Sequence, residues 1–253
     1  DLSLTGDFAD AEKYPISLDC PDDAAWMDLA ATLKGAVQKY APAAAASGAT
    51  GEDGSVKFDN LLPGLYLVLG ERAELGYFAY TATPIIVFLP NRNDTENTWE
   101  YDTEANVKYV KTYDGPEEDL LSRKVLKVWN DDGKKKDLPD SVTVELLCDG
   151  KVYSTVTLSE NNNWRYTWND LRRGHDWTLV ETPISGYTVT VVLDGITFKV
   201  TNTPGATPPD TPAVPPVTPP DGPYASGSVP VMKRITGAEP TVISDFTFVL
   251  MAK

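Results

Sequence analysis

Histidine and cysteine are scarce in this chain of 253 residues, which has one histidine and two cysteines. Cys20 and Cys148 lie far apart in sequence, so a disulfide framework is not expected, and each is predicted to be a small packed residue. The histidine, His175, follows a glycine in a turn and is predicted to be an exposed loop residue. These few residues leave no catalytic Ser/His/Asp or Cys/His arrangement and no zinc-ligand spacing.

Positive charge and long apolar runs are also in short supply. The net charge is -15, and such a field repels nucleic acid and anionic membranes, so neither is an expected partner. No apolar run has the length of a membrane span, and no glycine-rich phosphate loop occurs. The sequence therefore predicts no metal, no cofactor and no enzymatic turnover. No signal peptide precedes Asp1, which fits a cytoplasmic protein or a mature secreted one.

Alternating apolar and polar residues dominate the chain and predict a mainly β fold. A hydrophobic content of 42% with 23% charged residues is typical of globular proteins. Residues 1–112 are predicted to form an N-terminal β domain with one amphipathic helix at about 22–41, whose apolar stripe packs on a core. Residues 121–204 carry turn signals at short intervals, which favours an antiparallel sandwich.

The C-terminal part of the chain divides into a linker and a new β pattern. Residues 205–223 are rich in proline and are predicted to be an extended, semi-rigid spacer. In residues 224–253 a β pattern restarts, and Lys233 within 231–235 repeats the setting of Lys127 within 125–129. This segment is predicted to supply the opening strands of a further, incomplete domain. The alternative is a hairpin that pairs with an exposed sheet edge elsewhere.

Three predicted strands each place one polar residue on an otherwise apolar face. Side chains alternate between the two faces of a strand, so each polar residue shares its face with residues two positions away. The polar residues are Lys127, Glu181 and Asn202, and their apolar companions are Val125, Trp129, Trp177, Leu179, Phe198 and Val200. A lone buried charge costs several kcal/mol, so burial of these groups requires compensation.

A reaction among the three groups would remove that cost. Burial lowers the pKa of a lysine and raises that of a glutamate, so a shared proton can leave Lys127 neutral and Glu181 protonated. The amine can then attack the Asn202 carboxamide, whose oxygen the protonated carboxyl polarises, and release ammonia as a Lys–Asn isopeptide bond forms. The alternative is that all three residues lie at sheet ends with their polar tips in water, and parity alone does not decide.

The same region resembles the Cna B-type domain, an Ig-like module of Gram-positive surface proteins and pilins. The matching motifs occur in order over roughly residues 122–204 and include VLKVWNDDG at 125–133, LVETP at 179–183 and VTNT at 200–203. The resemblance implies tandem Ig-like β-sandwich domains in which Lys127 bonds to Asn202 and Glu181 acts as the proton shuttle. It makes Lys233 the candidate crosslink lysine of the further domain.

The N-terminal unit resembles the first domain of sortase-assembled pilins, through LLPGLYLV at 61–68 and TPIIVFLP at 83–90. In pilin shafts, a lysine after a proline near the end of this domain is joined to the next subunit. Lys108 matches that lysine, although Val107 stands where proline is usual, and Lys111 is close enough to compete. The resemblance implies an extracellular, wall-attached or pilus location, a sortase as processing enzyme and neighbouring pilin subunits as partners.

Two functions remain open at the level of sequence. The first is a structural subunit of a Gram-positive pilus or adhesin stalk, made rigid by self-generated isopeptide bonds. The second is an adhesin module whose N-terminal loops at 42–54 and 91–98 bind a host surface protein or glycan. A contiguous exposed aromatic patch at those loops would favour the second function, and a featureless surface would favour the first.

Overall fold

A computed structural model describes residues 4, 6–93, 95–96, 98–115, 119–131, 138–205, 227–235 and 247–252. In these residues the chain is mainly β, as predicted, with eighteen strands and one α-helix. The predicted proline-rich linker lies outside the described residues except for residue 205.

The bounds of the elements follow the alternation and turn signals of the sequence. The helix α1 spans Asp23–Tyr40. The strands are β1 (Ala46–Ala49), β2 (Ser55–Leu61), β3 (Gly64–Gly70), β4 (Ala73–Leu75), β5 (Phe78–Ala82), β6 (Ile85–Leu89), β7 (Asn91–Asn93), β8 (Thr98–Glu100), β9 (Ala105–Tyr113), β10 (Leu120–Trp129), β11 (Ser141–Cys148), β12 (Lys151–Ser159), β13 (Arg165–Arg172), β14 (Trp177–Glu181), β15 (Tyr187–Asp194), β16 (Thr197–Pro204), β17 (Gly227–Ile235) and β18 (Thr247–Ala252).

The first sandwich is built from two sheets, with strand orders β1-β18-β3-β6 and β2-β17-β9-β5-β4. Its core lies between them and includes Tyr66 and Val68 of β3 together with Val107 and Tyr109 of β9, all of them buried. The separate hairpin of β7 and β8 adds no layer to this core. Burial of the inward-facing residues of both sheets is the main stabilising contribution in such a sandwich.

The C-terminal strands complete the first sandwich, which differs from the predicted further domain at 224–253. Strand β17 lies between β2 and β9, and β18 lies between β1 and β3. Both strands therefore occupy internal positions, and neither adds to the outer edge of a sheet as the alternative supposed. The local pattern predicted two strands correctly, but the pairing partners lie more than one hundred positions away in sequence, where periodicity carries no information.

The second sandwich contains sheets with strand orders β13-β10-β16-β15 and β12-β11-β14. Strands β10 and β16 run parallel, and the other pairs in this sandwich are antiparallel. The buried residues Val125, Leu146, Trp177, Leu179 and Val200 contribute to its core. This arrangement confirms the predicted Ig-like sandwich.

Helix α1 begins and ends with defined caps, close to the predicted bounds. The Asp22 side chain accepts a hydrogen bond from Ala25 N, and Ala41 ends the helix in the left-handed region. Leu29 and Leu33 pack with Leu67 of β3 in a separate core cluster, as the apolar stripe predicts. In the described part of the chain, no helix is long and apolar enough to cross a membrane.

The opposite face of α1 contacts the second sandwich, a role that the apolar stripe did not predict. Lys34 Nζ lies 2.8 Å from Asp176 Oδ2, and Lys39 Nζ lies 2.8 Å from Glu145 Oε2. Arg72, beyond β3, donates to the Gly174 carbonyl and pairs with Asp114. The helix is therefore enclosed between the two sandwiches, and polar residues carry the second contact.

Removal of residues 206–253 is expected to unfold the first sandwich selectively. Without β17 and β18, each of its sheets splits into two parts whose facing edges lose their hydrogen bonds. Hydrogen exchange followed by mass spectrometry should show lost protection in β2, β3 and β9 while β10–β14 and β16 stay protected. Unchanged protection of β3 and β9 in the truncated chain would contradict the internal placement of the two strands.

Candidate functional site

The three polar residues found by strand parity meet inside the second sandwich. Lys127, Glu181 and Asn202 are 4%, 3% and 1% exposed, respectively. Lys127 on β10 is paired in register with Val200 of the parallel strand β16, so Asn202 lies one inward-facing position farther along, opposite Trp129. Glu181 is the last residue of β14 in the facing sheet. The alternative with polar tips in water is therefore wrong.

The Glu181 carboxylate lies between the amine and the carboxamide. Asn202 Nδ2 donates a hydrogen bond of 2.7 Å to Glu181 Oε1, and Lys127 Nζ lies 3.8 Å from Glu181 Oε2. The amine also donates to the Val128 carbonyl at 2.9 Å and lies 3.9 Å from the centroid of the Trp129 ring. One carboxylate thus contacts both groups that would react.

The carboxamide orientation differs from the one assumed from the sequence, in which the carboxyl bonds the amide oxygen. Here the amide nitrogen faces Glu181, and Asn202 Oδ1 is buried without a hydrogen bond. Glu181 Oε2 also makes no hydrogen bond. Each such unsatisfied buried acceptor costs about 1–3 kcal/mol, so the unreacted site is an expensive arrangement. The observed orientation places the carboxylate beside the nitrogen that would leave as ammonia.

The ionisation of both groups is shifted toward their neutral forms. Burial lowers the pKa of the Lys127 amine to about 8, and the nearby Glu181 charge opposes this only in part. Burial likewise raises the pKa of the Glu181 carboxyl, against the opposing effects of Lys127 and of the Asn202 hydrogen bond. Both directions agree with the prediction that a desolvated pair shares its proton.

An aromatic cluster that the sequence did not single out encloses the amine. The Trp129 ring packs edge-to-face against Trp164 at 5.6 Å and against Tyr187 at 5.4 Å. The two-residue period of a strand predicts that Trp129 shares a face with Lys127. It does not predict that Trp164 and Tyr187, from other parts of the chain, pack on Trp129. The Trp129 ring covers the amine, and burial of this kind lowers the pKa of a lysine.

The two candidate linkage lysines lie on the same strand of the first sandwich but in different surroundings. Lys108 is exposed in the middle of β9. Lys111 is partly buried, and its Nζ lies 3.9 Å from the centroid of the Phe78 ring. An amine must be accessible to act as an acceptor for a second protein, and of the two Lys108 meets this requirement better.

Lys233 is paired in a position equivalent to that of Lys127, but its expected partners are missing. Strand β17 runs parallel to β9 with Lys233 opposite Val107, as Lys127 lies opposite Val200. The position of Asn202 is therefore taken by Tyr109. The side chain of Lys233 lies outside the described part of the chain.

The position of Glu181 is taken by a glycine in the first sandwich. The sequence TFVL at 247–250 in β18 repeats the pattern of TVEL at 143–146 in β11. Gly70, which lies opposite Phe248, therefore corresponds to Glu181, which lies opposite Val144. A Cβ on Gly70 would collide with the Tyr109 hydroxyl and would lie 2.6 Å from the Ala82 Cβ. The two sandwiches thus share a strand register, but the first holds a tyrosine packed over a glycine where the second holds a carboxamide beside a carboxylate.

His175 is partly buried and does not match the predicted exposed loop residue. Its Nδ1 lies 2.5 Å from Asp149 Oδ2, and Cys148 Sγ lies near the same carboxylate. Both cysteines are free. Arg72 Nε lies 4.0 Å from Asp149 Oδ1, so a positive charge already faces the carboxylate, which disfavours a cation there.

Two exposed aromatic residues, Trp99 and Tyr101, follow the predicted binding loop at 91–98, and the other exposed aromatic residues of the first sandwich lie away from the loops at 42–54 and 91–98. Tyr77 and Phe78 precede and begin β5, and their rings contact Tyr113 at the end of β9. All three side chains are exposed. The resulting patch lies beside β4 and β9 and was not identified from the sequence.

Comparison with known proteins identifies the second sandwich. Residues 123–203 match the family model of the Cna protein B-type domain, so the chain contains a domain of this type. A collagen adhesin of Staphylococcus aureus is 33% identical over 90 residues, a match that covers 32% of this chain and 7% of that protein. The chain thus corresponds to a small part of that relative.

The solved structures that match parts of this chain include surface repeats and pilins. A single B repeat unit of the collagen-binding surface protein Cna of Staphylococcus aureus is 20% identical, with a TM-score of 0.33, over 60% of this chain and 98% of that one. The pilus backbone RrgB of Streptococcus pneumoniae is 14% identical, with a TM-score of 0.33, over 71% and 49% of the two chains.

An Asn202→Ala variant, which keeps the Lys127–Glu181 pair unreacted, should show a pH-dependent stability that the pair explains. The folded pKa of Lys127, about 8, lies below its ordinary value of 10.5. The unfolded chain therefore binds more protons between these values, and the free energy of unfolding should rise with pH across this window. The raised pKa of Glu181 gives the opposite slope, so stability should fall as pH rises above 4.5.

Urea unfolding across this pH range is the measurement, with Lys127→Met/Asn202→Ala as the matched control. The difference between the two variants isolates Lys127 from the other titrating groups. The rise above pH 8 should disappear in the control. The same slope in both variants would contradict the low pKa of Lys127.

Proposed function

We propose that this chain is a structural subunit of a Gram-positive pilus or adhesin stalk, and that its second sandwich is locked by a Lys127–Asn202 isopeptide bond. The observation that carries the proposal is the buried contact of Glu181 with both the Lys127 amine and the Asn202 carboxamide. The Cna B-type match supports it. The location would be extracellular, on the wall or in a pilus.

Glu181 can move both protons that the reaction requires. The carboxylate first takes a proton from the Lys127 ammonium through Oε2, which leaves a neutral amine. As the amine attacks the Asn202 carbonyl carbon, the carboxyl turns so that its protonated oxygen reaches Nδ2 and gives it this proton, and ammonia leaves. Glu181 then removes the extra proton from the new amide nitrogen and passes it to solvent or to ammonia. One N–C bond forms, one breaks, and Glu181 is regenerated.

The position of the bond suits a load-bearing module. The chain enters the sandwich on β10 and leaves it on β16, and the bond would join these two strands directly. A force that pulls β10 and β16 apart would act on the covalent link and not on the residues between them. Since Lys127 and Asn202 are 75 positions apart, the chain-entropy model used for disulfides gives a stabilisation of about 4–5 kcal/mol.

Only one such bond is proposed for this chain. The first sandwich has Tyr109 and Gly70 at the positions of Asn202 and Glu181, and neither residue can act as a carboxamide electrophile or a proton shuttle. Lys233 is therefore not proposed as a crosslinked residue in this arrangement. The first sandwich would be held together by packing and backbone hydrogen bonds alone.

Intact-mass spectrometry of the full chain should show a mass lower by one ammonia than the sequence requires. Lys127→Ala, Glu181→Ala and Asn202→Ala should each restore the full mass, since each removes the nucleophile, the shuttle or the electrophile. Lys233→Ala serves as the matched lysine control and should keep the loss. A wild-type chain of unmodified mass would overturn the crosslink, and a loss of two ammonia molecules would contradict the single bond.

Lys108 is proposed as the residue that a sortase joins to a neighbouring subunit. It is exposed on β9, whereas the Lys111 amine packs against Phe78. The lysine lies in the first sandwich, on the strand that precedes β10. Neighbouring subunits and the sortase are the partners that this proposal requires.

Lys108→Ala should abolish the ladder of covalent multimers in a sortase assembly reaction, and Lys111→Ala should leave it intact. Each substitution removes one lysine amine from the same strand. The two amines have the same chemistry and differ in accessibility. Gel electrophoresis under denaturing conditions is the measurement. Ladders that persist in the Lys108 variant would remove this residue from the linkage role.

A host-ligand-binding role is the second candidate, and the exposed patch of Tyr77, Phe78 and Tyr113 favours it. Contiguous exposed aromatic residues are typical of surfaces that bind proteins or glycans. The patch lies on the first sandwich, where the sequence also placed this role, but on different residues from those of the predicted loops. The two functions are compatible, because the patch and the buried site lie in different sandwiches.

A further inference from the structure

The second sandwich has an open side between β14 and β15. In the described part of the chain, β14 pairs only with β11, and β15 pairs only with β16, so each is the last strand of its sheet. Such strands present unpaired N–H and C=O groups that attract water or other chains. Glu181 lies on one of these edge strands, and Asn202 lies on the strand next to the other. The candidate crosslink is therefore close to the open side.

Residues of the N-terminal unit take the place of a neighbouring strand along β15. Val191 N donates to the Thr32 hydroxyl at 2.9 Å, and Val189 N donates to the Pro15 carbonyl at 2.7 Å. The Thr32 hydroxyl in turn donates to the Asp28 carbonyl at 2.8 Å within α1. Two alternate donors on this edge are thus satisfied, which is how buried sheet edges avoid a desolvation penalty.

Helix α1 also lies directly against β14 at Gly35. A Cβ on Gly35 would lie 2.9 Å from the Leu179 carbonyl oxygen and 3.3 Å from Val180 Cγ2, so glycine permits the close approach. Near it, the Thr178 hydroxyl donates to Gln38 Oε1 at 2.7 Å. As a result all five residues of β14 are buried, although it is an edge strand.

These contacts fall on the immediate neighbours of the reacting residues. Val189, held by Pro15, is the register partner of Asn202. Val180, packed against Gly35, directly precedes Glu181. Two ion pairs flank this seam, Lys34 with Asp176 and Lys39 with Glu145. Asp28 of α1 is close enough to Lys199 of β16 for the two charges to interact.

We propose that docking of helix α1 onto β14 and β15 positions and dries the crosslink site, with Thr32 and Gly35 as the positioning residues. The bond would then form efficiently only after the N-terminal unit has folded and docked. Covalent locking would be reserved for chains whose two sandwiches are correctly assembled. This inference rests on the proposed isopeptide bond.

Two substitutions in the full-length chain test the proposal without changing any charge. Thr32→Val removes the acceptor of the Val191 amide while keeping the side-chain shape, and Gly35→Val forces α1 away from β14. Thr32→Ser keeps the hydroxyl and is the conservative rescue, and Met27→Val places the same valine on the exposed side of α1. Newly synthesised chain is sampled over time, and ammonia loss is followed by intact-mass spectrometry at several pH values.

We expect Thr32→Val and Gly35→Val to slow bond formation roughly 10- to 100-fold, the effect of displacing reacting groups by about 1 Å. Their rates should also depend differently on pH, because water reaching Glu181 returns its ionisation toward that of an exposed carboxyl. Thr32→Ser and Met27→Val should keep the wild-type rate and pH profile. Hydrogen exchange at Val191 reports in the same samples whether the seam has opened.

The outcomes separate this proposal from the proposed function. A wild-type chain without ammonia loss overturns the isopeptide bond itself. If the wild type loses ammonia, and both seam variants do so at its rate and with its pH profile, the positioning role is overturned. If Gly35→Val loses the circular dichroism of the second sandwich, the comparison of Thr32→Val with Thr32→Ser decides the proposal. In that case, equal rates of ammonia loss in these two variants would overturn the positioning role.

Discussion

The desolvated contact of Lys127 with Glu181 is the constraint on which the second sandwich depends. Neither group can remain charged and alone in an apolar core, and the shifted pKa of each shows how strongly burial acts on it. The unsatisfied acceptors on Glu181 and Asn202 add to the cost. An amide in place of the amine and the carboxamide would remove a charge and leave Glu181 as the one ionisable group. The reaction proposed for the site would therefore also lower the free-energy cost of burying these groups.

Two sandwiches with a common strand register put different residues at the same positions. The lysine strands β10 and β17 each run parallel to a neighbouring strand, β16 and β9, respectively. Lys127 lies opposite Val200, and Lys233 lies opposite Val107. In the first sandwich, Tyr109 over Gly70 fills the space with an aromatic ring. In the second, the carboxamide and carboxylate fill it with reactive groups. The same strand register therefore accommodates either aromatic packing or the proposed crosslink, depending on the side chains at two positions.

Helix α1 connects the stability of the two units. Its apolar face packs on β3 and β6 of the first sandwich, and its other face supplies hydrogen bonds and a close glycine contact to β14 and β15 of the second. A semi-rigid rod requires joints that resist bending, and an element buried on both sides provides such a joint. The charged pairs at the rim of this joint are partly exposed and contribute less than the buried contacts.

The sequence by itself determined the fold class, the bounds of α1 and the three residues of the candidate site. Helical spacing, turn residues and the two-residue period of a strand are local, so Lys127, Glu181 and Asn202 could be placed on inward faces without knowing the neighbours of their strands. The Cna B-type motifs then linked them. The packing of Trp164 and Tyr187 on Trp129 could not be predicted from the sequence, because it arises from contacts between strands.

Tertiary structure alone decided which elements meet. Three features depend on residues far apart in the chain. They are the internal position of β17 and β18 in the first sandwich, the residues at the register positions around Lys233, and the docking of α1 on the second sandwich. A period of two or 3.6 specifies which face of an element is apolar, but it does not specify what covers that face. Thr32 and Gly35 show this most clearly: in sequence they are ordinary helix residues, and only the neighbouring edge strands give them a role.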